Sequence, residues 1–163
     1  MAFVGRDNAA AIGFARQAVV VDPRFWIGHF QLAQAYQQSG EAALALGEAD
    51  LAGQFSGGNS KALSLRGYIL AKQGQTKKAR EILKTLEATS RERFIPPYAL
   101  ALVHEGLGEH EAALDWLDRA REVRDVHLVS LPVDPKWDAL RANPRFGELL
   151  RRCGLPVAPV PVR

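Results

Sequence analysis

Three glycines set the architecture of this chain: Gly40, Gly74 and Gly108 stand 34 residues apart in sequence. An alanine follows each at the same distance, giving Ala45, Ala79 and Ala113, and one period earlier Ala11. Ala52, Leu86 and Ala120 repeat the phase, with Ala18 before them. A fixed period of this length is the signature of stacked supersecondary units, none of which buries its apolar face alone. The period divides the chain into 25 leading residues, three units (26–59, 60–93 and 94–127) and a trailing segment.

Apolar residues in each half unit recur at spacings of three and four, so each half reads as a helix. In the first unit Phe30, Leu32, Ala33, Ala35 and Tyr36 precede Gly40, and Ala42, Ala45, Ala49 and Ala52 follow it. The third unit repeats this with Leu100, Ala101, Leu102 and His104, then Ala113, Trp116, Leu117 and Ala120. A glycine just past a helix adopts the left-handed conformation that ends it. Ala33, Gly67 and Ala101 lie 12 residues before Ala45, Ala79 and Ala113, a small-residue pairing that allows close helix approach. No alternating β-branched run or Asn-Gly hairpin competes. Asp134-Pro135 and Asn143-Pro144 each read as an N-cap followed by proline at the first helical position, so two short helices are expected after the units.

The pattern resembles the tetratricopeptide repeat. Leu32-Ala33-Gln34-Ala35-Tyr36 is similar to that family's first helix, and Gly108-Glu109-His110-Glu111-Ala112-Ala113 with Leu117 and Ala120 to its turn and second helix. Asp22-Pro23 is similar to its unit-ending dipeptide. His29, Ala49 and Arg66 depart from the usual Trp, aromatic and apolar positions. The resemblance implies an all-α fold, a right-handed superhelix of helix pairs, with C-terminal capping helices over 128–155 and a proline-rich tail over 156–163. Residues 8–20 resemble the second helix of an earlier unit whose first helix the seven preceding residues cannot supply. The expectation is either a piece of a longer protein or an open apolar end inviting self-association, with Ile12 as its marker.

Residues 125–137, continued by Leu140–Phe146 and Leu149-Leu150-Arg151-Arg152, are similar to the ending of bacterial multidomain regulators. In those, tetratricopeptide repeats follow a winged-helix, Ser/Thr kinase or nucleotide cyclase domain. Ser56 to Leu63 resembles the winged-helix branch. The implied role is a sensory or assembly region.

The family resemblance also places the inner, partner-binding face of the first helices. On this chain it comprises Ile27, Phe30, Gln34, Gln37 and Gln38, then Lys61, Ser64, Tyr68, Ala71 and Lys72, then Ile95, Tyr98, Leu102, Glu105 and Gly106. Aromatics on a concave face call for a cover, here expected to be a protein or peptide with acidic groups, or else the tail or a neighbouring subunit. The paired asparagines of carboxylate-clamp relatives are absent from this face. Replacing Tyr68 and Tyr98 by Ala is expected to weaken partner binding and leave the helical melt nearly unchanged, whereas a collapse of the fold would mark them as core residues.

Composition narrows the alternatives. The chain has 163 residues, 47% apolar and 24% charged, which excludes disorder and collagen-like structure. No apolar run is long enough to cross a membrane and no signal-peptide layout opens the chain, so the expected location is cytoplasmic. One cysteine, Cys153, excludes an internal disulfide and a Cys-based zinc site. Its place at a helix C-terminus argues against a reactive thiol. His104 and His110 are six apart with glycines between, so they fail the one-face spacing of a zinc helix, and no metal or other cofactor is expected. Asp115 and Asp118 read as a solvated face, and no constellation suggests an enzyme.

A pI near 9.2 raises the question of nucleic acid. The formal charge is +3, yet Lys136, Arg141, Arg145, Arg151, Arg152 and Arg163 put an excess of four into 136–163, and the rest is nearly neutral. The surplus belongs to the C-terminal segment, and direct nucleic-acid binding by these repeats is not expected.

Overall fold

The computed structural model describes residues 8–157. Eight α-helices follow in order: α1 Asn8–Val21, α2 Trp26–Gln38, α3 Ala42–Phe55, α4 Ser60–Lys72, α5 Thr76–Thr89, α6 Pro97–Gly106, α7 His110–Glu122 and α8 Pro144–Arg152. Two 3₁₀ helices, Val126–Ser130 and Pro135–Leu140, lie between α7 and α8. The described residues contain no strand.

The turn inside each helix pair is built the same way three times. Gly40, Gly74 and Gly108 have φ of 79°, 75° and 74°, where a side chain would be strained. The N–H after each glycine then reaches back five residues: Glu41 to the Tyr36 carbonyl at 2.9 Å, Gln75 to Leu70 at 2.9 Å, Glu109 to His104 at 3.0 Å. These bonds satisfy carbonyls that the helix end would otherwise leave open. Arg124 does the same work after α7 without the glycine, at φ 55°, with Asp125 N–H on the Ala120 carbonyl at 2.8 Å.

The turns make helical hairpins: α2 packs on α3, α4 on α5, and α6 on α7. Ala33, Ala101, Ala45, Ala79 and Ala113 are fully buried where those helices meet. Gly67 does more than admit its own hairpin partner. A Cβ there would lie 3.1 Å from Ile82 on α5 and 2.9 Å from Val103 on α6. Gly106 lets α6 meet the backbone of α4, since its Cβ would stand 2.9 Å from the Tyr68 Cα. The hairpins do not stack uniformly: α6 lies directly on α4, whereas α4 reaches α3 far more than α2. A gap therefore opens between α2 and α4 on the inner face.

The departures from the family pattern have local explanations. His29 is buried, with Nδ1 2.7 Å from Glu48 Oε2 and Nε2 2.9 Å from the Pro23 carbonyl. Arg66 is half-exposed and pairs with Asp50. Ala49 is fully buried.

Past α7, Asp125, Asp134 and Asn143 each cap the following helix by accepting the N–H two residues on. Phe146, Leu149 and Leu150 of α8 are buried in one cluster with Leu117 and Ala120 of α7. Arg145 holds this docking from the rim, on Glu111 at 3.2 Å, Asp115 at 2.6 Å and Asp118 at 2.8 Å. Asp115 and Asp118 are thus half of an ion-pair cluster rather than a purely solvated face. Arg141 and Arg151 also pair locally, with Asp138 and Glu148.

At the other end, Ile12 is half-buried against the core cluster, and the exposed apolar side chains of α1 are Phe14, Val20 and Val21. No helix among the described residues is long and apolar enough to cross a membrane.

Candidate functional site

The inner face is the work of α2, α4 and α6, but the chain's own C-terminal segment lies across it. The anchor is Tyr98 on α6, whose side chain is buried. Its ring stacks on His127 at 5.4 Å and meets the edge of Trp137 at 5.4 Å. Its hydroxyl accepts a hydrogen bond from Trp137 Nε1 at 3.2 Å, and its backbone N–H donates to Asp125 Oδ2 at 3.1 Å. Burial pushes the Tyr98 phenol above its ordinary range, with Asp134 adding to it. Burial alone would raise Asp125 too. The hydrogen bonds from the His127 side chain and the backbone N–H groups of His127 and Tyr98 outweigh it and hold this carboxyl below the usual range.

A second strut comes from Lys136. Its Nζ donates to Asp134 Oδ2 at 2.7 Å and to Gln34 Oε1 on α2 at 2.7 Å. Desolvation lowers the Lys136 pKa, and the Asp134 charge opposes that. Lys136 and Gln34 line both of the two cavities on the inner face.

The larger cavity, about 590 Å³, has an apolar wall of Trp26, Phe30, Ala99, Tyr98 and Leu102. Its polar edge carries Gln31, Gln34, Asn59, Ser60, Lys61 and Ser64 from the helices, and the C-terminal segment closes it with Val126, His127, Val129, Ser130, Asp134 and Lys136. Trp26 and Phe30 meet edge to face at 6.3 Å, and Lys61 Nζ sits 5.1 Å from the centre of the Phe30 ring. The smaller cavity, about 300 Å³, is lined by Gln34, Gln37, Gln38, Leu65, Tyr68, Pro135 and Lys136.

The residues expected on the inner face separate into three groups. Phe30, Gln34, Lys61, Ser64, Tyr98 and Leu102 come together around the larger cavity, and Gln34, Gln37, Gln38 and Tyr68 around the smaller one. Ile27 and Lys72 are exposed outside both, Lys72 lying 5.4 Å over the Tyr68 ring. Ile95 and Glu105 are buried: Ile95 packs with Leu83, Leu86 and Ala99, and Glu105 accepts from His110 Nδ1 at 2.9 Å. Burial pushes the Glu105 carboxyl up, while His110 and Lys72 counter it, and its Oε1 is buried without a protein partner. The aromatics of this face are covered rather than open, because residues 125–137 fold back over them.

Trp26, His127, Val129, Asp134 and Lys136 join the site without having been read as site residues. The Asp134-Pro135 cap marks where that segment turns. Nothing in the spacing says that the next side chain bonds to a residue 102 positions earlier.

His104 and His110 serve separate carboxylates, Glu109 and Glu105. The described residues hold no group of three or more His, Cys, Asp or Glu placed for a metal ion. Cys153 is half-buried at the end of α8, and burial raises its thiol pKa.

The repeat geometry meets an independent likeness at α6 and α7. Residues 98–119 match the tetratricopeptide repeat family model. The match runs from Tyr98 through the Gly108 turn into α7, so this hairpin is a tetratricopeptide-like repeat, and the all-helical hairpins before it extend the same arrangement. No curated protein and no solved structure matches the chain.

Proposed function

We propose that this tetratricopeptide-like chain is a non-catalytic protein-interaction module and works as the sensory or assembly region of a bacterial signalling or transcriptional regulator. In this reading the units are 26–59, 60–93 and 94–127 of a right-handed solenoid, acting in the cytoplasm. The observation that carries it is the cavity between α2 and α4. Trp26, Phe30, Tyr98 and Leu102 offer an anchor pocket for an apolar side chain of a partner, and the exposed Val126 and Val129 beside it extend the contact. The internal pairing of Arg141, Arg145 and Arg151 speaks against phosphate contact by the C-terminal helices.

The test is selection of phage-displayed peptides on the wild-type protein and on Val129→Asp, a change at an exposed rim position. Peptides enriched by the wild type and lost on the variant support the reading. Equal enrichment on both, or none, rejects it.

A second reading, self-association through α1, is favoured by one observation: Phe14 is 67% exposed beside Val20 and Val21. Sedimentation of the wild type and Phe14→Arg decides it. A dimer that becomes a monomer supports pairing, and a monomer in both removes it. Phe14 is a cleaner probe than Ile12, which packs on the core.

A further inference from the structure

We infer that the larger cavity of the inner face is a binding site for a small amphipathic acid, an apolar body carrying one carboxylate. The inference rests on reading the inner face as the binding surface, and it names a different class of ligand from a peptide chain.

Shape comes first. About 590 Å³ lies within the range of sites that enclose a small organic ligand. The Lys136–Gln34 bond and the Trp137–Tyr98 contact lie across the groove, so an extended chain has no continuous path along it. What remains is a compartment.

Chemistry comes second. The wall is apolar and aromatic, and it accepts a flat ring or an alkyl chain between Phe30, Leu102 and Tyr98. The charges around it are unequal in their commitments. Asp134 is engaged twice by Lys136, through its N–H at 3.0 Å and its Nζ at 2.7 Å. Lys61 is exposed and has no carboxylate partner among the described residues, its Nζ resting over the Phe30 ring. A carboxylate entering with its apolar end against Phe30 meets that ammonium at the mouth. An amine would meet the same positive charge and be disfavoured. Part of the wall belongs to residues 126–136, so a bound acid also fastens that segment to the repeats.

The experiment is calorimetric titration of octanoate and octan-1-ol into the wild-type protein and into Lys61→Met, which keeps the apolar stem over Phe30. Octanoate is expected to bind saturably, about fivefold more tightly than octan-1-ol, and to raise the melting temperature. Lys61→Met is expected to melt like the wild type and to lose the preference for the acid. Absence of saturable octanoate binding, an equal affinity for the alcohol, or an unchanged preference in Lys61→Met overturns the inference. Peptide enrichment without octanoate binding would refute the acid site and leave the peptide reading standing. Octanoate binding without enrichment would do the reverse.

Discussion

The same chemical change, glycine to alanine, is expected to have opposite signs at two helical positions of this molecule. At Gly47, exposed on α3, an added methyl meets nothing within 4 Å. The helix then gains the intrinsic preference for alanine, about 0.8–1 kcal/mol. At Gly106 the methyl would lie 2.9 Å from the Tyr68 Cα, 3.0 Å from its carbonyl oxygen and 3.1 Å from the Ala71 Cβ. Two of these three are backbone atoms of α4, which cannot swing aside as a side chain can. Overpacking of this kind costs roughly 1–3 kcal/mol, and a terminal helical position recovers only part of the propensity gain. The net loss is about 1–2 kcal/mol, so the two variants should differ by about 2–3 kcal/mol. With a urea m-value of about 2 kcal/mol/M, Gly47→Ala should raise the midpoint by about 0.5 M and Gly106→Ala lower it by about 0.5–1 M. Urea unfolding followed by circular dichroism at 222 nm reads both. Gly106→Ala as stable as Gly47→Ala would show that α6 does not bear on the α4 backbone, and the close approach of these helices would be refuted.

Tyr98→Phe leaves the buried Trp137 Nε1 without its acceptor and should cost about 1–3 kcal/mol in the same assay. Pairing it with Trp137→Phe should cost less than the sum of the two single changes. Arg124→Gly relieves a left-handed non-glycine residue and should stabilise the fold by about 0.5–1 kcal/mol, and a lower midpoint would contradict that. Glu105 has its carboxyl raised by burial, so the folded state holds the proton longer than the unfolded one. Stability on this account falls as pH rises above about 4.5 and levels off past the raised value. Glu105→Gln should flatten that slope in pH-dependent urea melts, and an unchanged slope would assign it to another group.

The periodic part of the fold was legible because each repeat solves the same local problem. Gly40, Gly74 and Gly108 take one backbone conformation, and their neighbours make one set of hydrogen bonds, within six residues of chain. Asp134 and Asn143 announce their helices as openly, each capping two residues ahead. Docking of α8 on α7 follows from the apolar face of Phe146, Leu149 and Leu150. The site was legible only in part. The family resemblance placed Phe30, Gln34, Lys61, Ser64, Tyr98 and Leu102 on one face, and all six line the larger cavity. It could not say that the face is already occupied. The cover comes from a segment with no repeat and only two short 3₁₀ helices, held by side chains whose partners lie far away in sequence. Spacing rules describe neighbours on one element, and these contacts obey none. Ile95 and Glu105 are buried instead, Ile95 in one cluster with Leu83 and Leu86 of α5 and Glu105 paired with His110 of α7, contacts between elements that the repeat pattern does not specify.

The bond from Lys136 to Gln34 joins the first complete hairpin to a segment made after the last one. In a stack where every unit touches only its neighbours, ends can fray one at a time and growth can begin anywhere. A crossbar between distant rungs changes that grammar. It can form only once the intervening helices are in register, and it lends nothing to a half-built stack. Removing it, as in Lys136→Met, should leave the individual hairpins intact and turn a concerted unfolding transition into a staggered one.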